Sequence, residues 1–217
     1  MAKSRNIVGA TTYQRIKHDI IFGALAPGSK LKLEGLRSRY SASMSTLRET
    51  LNRLASEGFV DAREQRGFFV TPVSGDDLVE IANLRILLEC HALRLSLAKG
   101  DTDWEGNLVA AHHKLHLMEA RMLAGDEAGI EDWKRYDWEF HQALIAACGS
   151  RNLLALHAVL FDKYLRYQML VLTHRGDAAV AEHQGMFAAA LKRDQDQAAR
   201  ILEDHIKNGL DHALNAL

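Results

Sequence analysis

The scarcity of proline constrains the fold of this chain more than any other feature of its sequence. Only two prolines, Pro27 and Pro72, occur in 217 residues. Proline breaks helices because it lacks a backbone N–H and clashes with the preceding turn, and the long intervals without it are rich in alanine, leucine and charged residues, which favour helix. Since 47% of the residues are hydrophobic, the chain can also bury a core. We therefore predict a mainly α-helical protein.

The first third of the chain has the spacing of a winged helix-turn-helix. A Pro-Gly turn ends a first helix, predicted over residues 12–25. Two short helices follow, joined by a tight turn at residues 41–43, and Ser43 is a favourable N-cap for the second. The period then changes, and residues 59–73 (FVDAREQRGFFVTPV) predict a β-hairpin that would be the wing.

Charge is distributed unevenly along the chain. Residues 1–72 contain twelve Lys and Arg against six Asp and Glu, a net charge of +6, whereas the remainder carries −7. A basic segment joined to an acidic one is typical of a nucleic-acid-binding domain fused to a module of another kind. Together with the helix-turn-helix and the hairpin, this asymmetry predicts binding to double-stranded DNA.

From residue 74 onward the patterns are helical throughout. The segment SGDD at residues 74–77 follows Pro72 and marks a domain boundary. Turn residues separate six predicted helices, over about 76–98, 103–123, 127–147, 151–173, 177–192 and 195–215. The apolar face predicted for the first of these helices comprises Val79, Ala82, Ile86 and Leu93. We predict a DNA-binding domain over residues 1–73 and an all-α bundle of six or seven helices over 74–217.

Several classes of protein do not fit the sequence. No apolar run is long enough for a secretion signal or for a membrane span of about 18 residues. The two cysteines form no CxxC pattern, so we expect a cytoplasmic protein without a disulfide framework. Because the sequence contains no HExxH, phosphate loop or nucleophile elbow, we do not expect an enzyme.

Several segments, taken in order, resemble a known family. APGSKL at residues 26–31 and STLRETLNRLASEGFV at 45–60 resemble the GntR-type bacterial transcription regulators. LRILLE at 84–89, DWEFH at 137–141 and EH at 182–183 resemble the FadR subfamily and its FCD ligand-binding domain. Within the family, YQRIKHDIIFGAL and LRSRYSASMSTLRETL are most similar to CsiR-type repressors.

The resemblance and the predicted wing together imply a set of DNA contacts. These are Arg39, Ser43, Met44, Ser45, Thr46, Arg48, Arg66 and Gly67. The family often has arginine after the serine that starts the recognition helix, but here the residue is Met44, which cannot form a bidentate contact with guanine. Base reading would then come from Ser45, Thr46 or the wing, and Arg48 would hold a phosphate.

An aspartate and a histidine four residues apart in DWEFH would share one helix face. The resemblance implies that they bind a divalent metal with two later histidines, through Asp137, His141, His183 and His205. Three imidazoles and one carboxylate suit Zn²⁺ first, with Ni²⁺ or Mn²⁺ as alternatives. The alternative for DxxxH is a solvated helix face. We interpret a rival cluster, His112, His113 and His116, as an exposed polar face.

The resemblance also implies a small carboxylic acid as effector. Arg85 is the first candidate to bind it, and its alternative role is a surface ion pair with Glu89. Arg166 and Tyr167 are weaker candidates. Similarity to CsiR-type repressors suggests a dicarboxylate or 2-hydroxy acid such as glutarate or 2-hydroxyglutarate. We expect a homodimeric repressor released from its operator by the acid. The alternatives are a metal-sensing regulator, a structural metal, and a metal-dependent enzyme fused to a DNA-binding module.

Overall fold

The computed structural model describes residues 2–126, 129–171 and 175–216, with side chains from Thr12 onward. These residues form two compact units. The N-terminal unit comprises Met1–Leu78 together with Asp162–Leu172. The bundle unit comprises Val79–Phe161 and Thr173–Leu217.

The N-terminal unit contains the predicted winged helix-turn-helix. Its elements are α1 (Ala2–Ile21), β1 (Lys30–Leu31), α2 (Leu33–Tyr40), α3 (Met44–Ser56), β2 (Val60–Arg63) and β3 (Gly67–Val70). The hairpin is confirmed, since β2 pairs antiparallel with β3 in a register that places Arg63 opposite Gly67. Sequence analysis did not predict β1, which pairs with the other side of β3, because two residues are too few to show an alternating pattern.

An N-cap residue and a buried apolar face determine where α3 begins and which side of it faces inward. Ser43 has extended backbone, and its side chain accepts a hydrogen bond from the backbone N–H of Thr46, as an N-cap does. The apolar face of α3 is fully buried at Leu47, Leu51 and Leu54. The opposite face of the helix is therefore left in solvent.

The rest of the chain is helical, as predicted; residues 75–78 and 162–171 of it lie in the N-terminal unit, and the remainder forms the bundle unit. The helices are α4 (Gly75–Lys99), α5 (Thr102–Leu123), α6 (Ile130–Ile145), α7 (Arg151–Val171), α8 (Asp177–Leu191) and α9 (Gln195–Leu214), with a 3₁₀ turn at Ala146–Cys148. Asp101 and Asp194 cap α5 and α9 through their side chains. The ends predicted at residues 127 and 173 lie outside the described residues.

The predicted inner face of α4 was partly wrong. Ala82 and Leu93 are buried, but Val79 is 37% exposed and Ile86 is half-buried. The buried face instead includes two charged residues, Arg85 and Glu89. Apolar periodicity misplaced part of the face because it counts charged side chains as solvated.

Two expectations from composition can be compared with the structure. Cys90 and Cys148 are both buried free thiols. Within the described ranges, the chain has no helix with the length and apolar character needed to cross a membrane.

Candidate metal centre

Four side chains from three helices of the bundle converge on one point. Asp137 and His141 lie one turn apart on α6, His183 lies on α8, and His205 lies on α9. Each offers one ligand atom, and these atoms all lie within 4.8 Å of one another. All four residues are buried, so DxxxH is not a solvated face. The structure thus brings together the four residues that the family resemblance implied.

Each of the three imidazoles is oriented by a glutamate. The Nδ1 atom of His141 contacts Glu89 on α4, that of His183 lies 2.5 Å from Glu119 Oε1 on α5, and that of His205 lies 2.7 Å from Glu182 Oε2 on α8. Metal-binding histidines commonly donate their other ring N–H to a carboxylate, which sets the tautomer and the ring direction. The three Nε2 atoms are therefore the ones available to a metal.

The donor atoms fit a divalent ion. Nε2 of His141 and Nε2 of His183 are buried, and neither has a hydrogen-bond partner among the described residues. His183 Nε2 lies 3.2 Å from Asp137 Oδ1, but the contact does not have hydrogen-bond geometry. Because buried polar atoms nearly always have a partner, these orphaned nitrogens, aimed at a buried carboxylate, are what a metal would satisfy.

The protonation states of the ligands are set by their surroundings. Burial would raise the pKa of Asp137, but Lys134 and the contact with His183 lower that pKa well below its ordinary value. Burial lowers the pKa of His141 and of His205, so both are neutral and ready to bind. Burial would also lower the pKa of His183, but its contacts with Asp137 and Glu119 raise that pKa to about 9.

Arg85 is part of the same buried network. Its Nε donates to Glu89 Oε2 at 2.9 Å, and its Nη2 lies 3.4 Å from His141 Nδ1. The guanidinium also lies over the ring of Phe161, 4.3 Å from the centroid. The Arg85–Glu89 pair exists, but a surface location for it was wrong, since the side chains are only 2% and 0% exposed.

Two further cations of the site were missed by sequence analysis. The Lys134 ammonium lies 3.7 Å from Asp137 Oδ2 and is buried, which lowers its pKa. Arg175 holds Glu182 through two hydrogen bonds, of 3.0 and 2.6 Å. Lys134 stands three residues before Asp137 and could have been found from that helical spacing.

The three orienting glutamates were also not assigned to the site. Glu89 and Glu182 lie inside the quoted segments LRILLE and EH, so their positions carried a signal. The sequence around Glu119 gave no such signal, because α5 contributes no metal ligand. Its role depends on the packing of α5 against α8, which brings it to His183.

The rival histidine cluster was partly misjudged. His113 and His116 are exposed as predicted, but His112 is only 8% exposed and stacks on Phe187, with centroids 4.0 Å apart. A long-range aromatic partner on α8 buries it, which helical spacing could not reveal. Among the described residues, the group formed by Asp137, His141, His183 and His205 is the only set of potential ligands close enough to hold a metal.

Arg166 and Tyr167, the weaker effector candidates, make their contacts elsewhere. Arg166 Nη2 donates to the backbone oxygen of Thr71, and the Tyr167 hydroxyl donates to Asp77 Oδ2 at 2.6 Å. The same hydroxyl accepts a hydrogen bond from the backbone N–H of Ser74. These partners belong to the segment after the wing and not to the metal cluster.

Seven of the eight predicted DNA contacts are exposed in the N-terminal unit. Arg39, Ser43, Met44, Ser45, Arg48, Arg66 and Gly67 are exposed, and Thr46 is half-buried. Arg39 is held by Asp19 at 2.6 Å. At the wing, Gly67 has φ of +91°, and no atom lies within 4 Å of the point where a Cβ would be, so its backbone is open to a close approach.

Comparison with known proteins gives the family. Residues 9–70 match the family described as bacterial regulatory proteins, gntR family, and residues 80–208 match the FCD domain. An uncharacterized HTH-type transcriptional regulator, BphR of Paraburkholderia xenovorans (strain LB400), is 37% identical over 97% of this chain and 86% of its own length. The HTH-type transcriptional repressor GlaR of Escherichia coli (strain K12) is 33% identical over 89% of this chain and 90% of its own.

The fold has solved counterparts as well. The structure of E. coli McbR/YncC matches with a TM-score of 0.81, covering 96% of this chain and 97% of that one at 19% identity. At that identity the likeness concerns the fold alone. From the two family matches and the similar regulators, we conclude that this chain belongs to the GntR family of bacterial regulatory proteins and is a DNA-binding transcriptional regulator with an FCD domain.

Proposed function

We propose that this regulator is a repressor that leaves its operator when a small carboxylic acid binds beside a divalent metal in the FCD domain. The observation that carries the proposal is the convergence of one carboxylate and three glutamate-oriented imidazoles next to a buried arginine. The relative GlaR is named a repressor, which supports the direction of regulation. The DNA-binding domain would span residues 1–73 and the FCD-type domain residues 74–217.

Asp137, His141, His183 and His205 would hold the metal. Their mixed nitrogen and oxygen donors suit Zn²⁺ first, with Ni²⁺ or Mn²⁺ as alternatives. When bound, the ion would supply a Lewis acid that anchors a carboxylate. The chain's own part is to orient the ligands through Glu89, Glu119 and Glu182 and to exclude water by burial.

Arg85 would bind the acid together with the metal. Its guanidinium is buried beside His141, and arginine suits a carboxylate because its planar N–H groups form two parallel hydrogen bonds. We take glutarate and 2-hydroxyglutarate as the first acids to test. An acid that competes with Glu89 for Arg85 would alter the network that orients His141, which gives ligand binding a structural consequence.

The DNA-binding form would be a homodimer. Two winged helices would present α3 to half-sites about one helical turn apart, as helix-turn-helix dimers do. An allosteric coupling of roughly 1–3 kcal/mol between acid and operator would change operator affinity about 5–150-fold.

The test is an operator-binding titration of the purified protein. Duplexes selected by the protein from a random pool serve as operator, and affinity is measured for metal-free and Zn²⁺-loaded protein with and without each acid. The proposal expects release by an acid only when metal is bound. Insensitivity of the metal-loaded complex to both acids and to a wider panel of carboxylates would contradict it.

A metal-sensing regulator is the second candidate. It is favoured by the fact that four protein ligands could complete a tetrahedral site without any acid. In the same titration, metal alone would then change operator affinity. Turnover of an added acid would instead support the enzyme alternative.

A further inference from the structure

We propose that Arg166 and Tyr167 are coupling residues that fasten the linker, residues 71–77, to α7, so that the state of the metal centre reaches the winged helix along this helix. The proposal rests on the proposed function in that it takes the metal centre as the regulated site. It assigns Arg166 and Tyr167 a positioning role in place of effector binding.

The first half of α7 is attached to the metal-centre network. His157 Nε2 lies 2.9 Å from Glu89 Oε2, and the other oxygen of the same carboxylate contacts the ligand His141. His157 Nδ1 is held by Gln142 of α6 at 2.8 Å. One turn further along α7, Phe161 carries the guanidinium of Arg85 on its ring. Any rearrangement of Glu89 or Arg85 therefore acts on α7.

The second half of α7 belongs to the N-terminal unit. Asp162 forms an ion pair with Lys17 of α1 at 2.7 Å. Arg166 and Tyr167 follow one turn later and are 4% and 1% exposed. Their hydrogen bonds go to the linker, to the Thr71 carbonyl from Arg166 and to Ser74 and Asp77 from Tyr167.

The linker in turn holds the wing and the start of α4. The backbone N–H of Thr71 donates to Phe59 at 3.1 Å, and its hydroxyl donates to Asp61 on β2, also at 3.1 Å. Asp77 lies in the first turn of α4, where its backbone N–H donates to the Ser74 hydroxyl. A displacement of Arg166 and Tyr167 would therefore move groups that are bonded directly to the wing.

The intervening helix is suited to transmit such a displacement. Residues 151–171 contain no glycine or proline, which are the residues at which helices most often kink. Ten residues separate His157 from Tyr167, which corresponds to about 15 Å of helix at 1.5 Å per residue. The contacts along α7 form a continuous physical path from the metal centre to the linker. Coupling along this path is demonstrated when breaking the contacts stops the linker from responding to the metal centre.

The experiment uses the full chain and Zn²⁺ alone as probe. Hydrogen–deuterium exchange is measured for metal-free and Zn²⁺-loaded protein, with metal affinity determined in parallel. In the wild type, loading is expected to change exchange both in the bundle helices and in residues 59–77. Tyr167→Phe combined with Arg166→Lys is expected to keep metal affinity and the bundle response but to lose the response at residues 59–77.

The matched control is Tyr13→Phe. It removes another hydroxyl of the N-terminal unit, one that donates to Glu57 at 2.8 Å and does not touch the linker. This variant is expected to retain the wild-type response at residues 59–77.

Loss of the Tyr167 hydroxyl should by itself speed hydrogen exchange in the linker about fivefold, which is the effect of losing one hydrogen bond.

Two results would overturn the inference. One is a wild-type response confined to the bundle, and the other is an unchanged response at residues 59–77 in the Tyr167→Phe, Arg166→Lys variant. If the protein binds no metal, the proposed function fails, and the coupling is then tested by His157→Gln in the metal-free chain. His157→Gln should change exchange at residues 59–77 in a chain with intact Arg166 and Tyr167, but not in the Tyr167→Phe, Arg166→Lys variant. Unchanged exchange at residues 59–77 in the chain with intact Arg166 and Tyr167 would also overturn the inference.

Discussion

Glu89 joins three other polar side chains inside the bundle. One fully buried carboxylate contacts Arg85, His141 and His157. Its ionised form is stabilised against burial by these partners, and Arg85 contributes most to lowering its pKa. The buried charge of Glu89 is tolerated because the structure holds its partners in contact with it. Removal of any one of these groups would leave a buried charge without full compensation.

We predict that Glu89→Gln lowers metal affinity about 10–100-fold, the usual effect of losing a carboxylate that orients a metal-binding histidine. Isothermal titration with Zn²⁺ measures this directly. Glu139→Gln is the matched control, because Glu139 lies on α6 in exposed ion pairs with Lys114 and Arg135. Equal affinities for the two variants would show that Glu89 does not position His141.

The pKa of His183 leads to a prediction about protons. In the metal-free protein this pKa is raised from 6.5 to about 9, so the imidazole is charged at pH 7 and must lose a proton before Nε2 can bind a metal. We predict release of about one proton per metal ion at pH 7, since His141 and His205 are already neutral. Calorimetry in buffers of different ionisation enthalpy counts these protons. Release near zero would contradict the raised pKa.

The same shift affects the stability of the metal-free protein. A pKa raised by folding means that the charged His183 stabilises the native state. That contribution is fully present below about pH 6.5, the ordinary pKa, and is lost as the pH rises through about 9. Metal affinity runs the opposite way and increases over this range, because fewer protons compete for the site.

At the scale of elements, α3 carries the proposed contacts with DNA. Ser43 caps the helix, and its buried leucines hold it so that Arg48 is exposed on the other face. We predict that Arg48→Ala weakens binding to all sequences and reduces the slope of log affinity against log salt by about 0.9, the value for one phosphate contact. Arg94→Ala, on an exposed arginine of the bundle, is the control. Salt titrations with identical slopes for Arg48→Ala and wild type would exclude a phosphate contact.

The first residue of α3 gives a separate prediction about specificity. Met44 is 36% exposed at the position where the family often has arginine. We expect Met44→Arg to introduce a preference for guanine, worth about 1–3 kcal/mol at one base pair. Selection from a random pool with the wild type, Met44→Arg and Met44→Leu decides this. An unchanged consensus in the arginine variant would mean that residue 44 does not face bases.

At the scale of the whole molecule, metal binding should appear as stability. A ligand present at a hundred times its Kd adds about 2.7 kcal/mol to the native state, which is about 5–10 °C in Tm for a chain of this size. We predict such a rise with Zn²⁺ for the wild type and none for the His141→Ala, His183→Ala variant. Elemental analysis checks that the variant has lost its metal.

The control for this prediction is His112→Ala combined with His116→Ala. His112 packs on Phe187, so the control is expected to have a lower Tm without metal, yet it should keep the metal-induced rise. Metal retained by the His141→Ala, His183→Ala variant would point to the other histidines instead.

The sequence by itself determined the helices, the hairpin and the order of the domains. These follow from interactions between residues close in the chain, such as the caps made by Ser43 and Asp101 and the 3.6-residue apolar spacing of α3. The ligand set Asp137, His141, His183 and His205 came from family resemblance, since spacing alone gives only the pair on α6. Contacts that leave no pattern among neighbouring residues could not be predicted from the sequence.

Only the tertiary structure decided which polar residues are inside. The sequence left a surface ion pair as one of two possible roles for Arg85 and Glu89, and it indicated an exposed His112. Contacts from other helices bury all three side chains. The assignment of Glu119 to His183, and of Arg166 and Tyr167 to the linker, joins residues more than sixty positions apart. The physical reason is that burial of a charge is set by the partners that compensate it, and those partners are brought together only by packing of the helices.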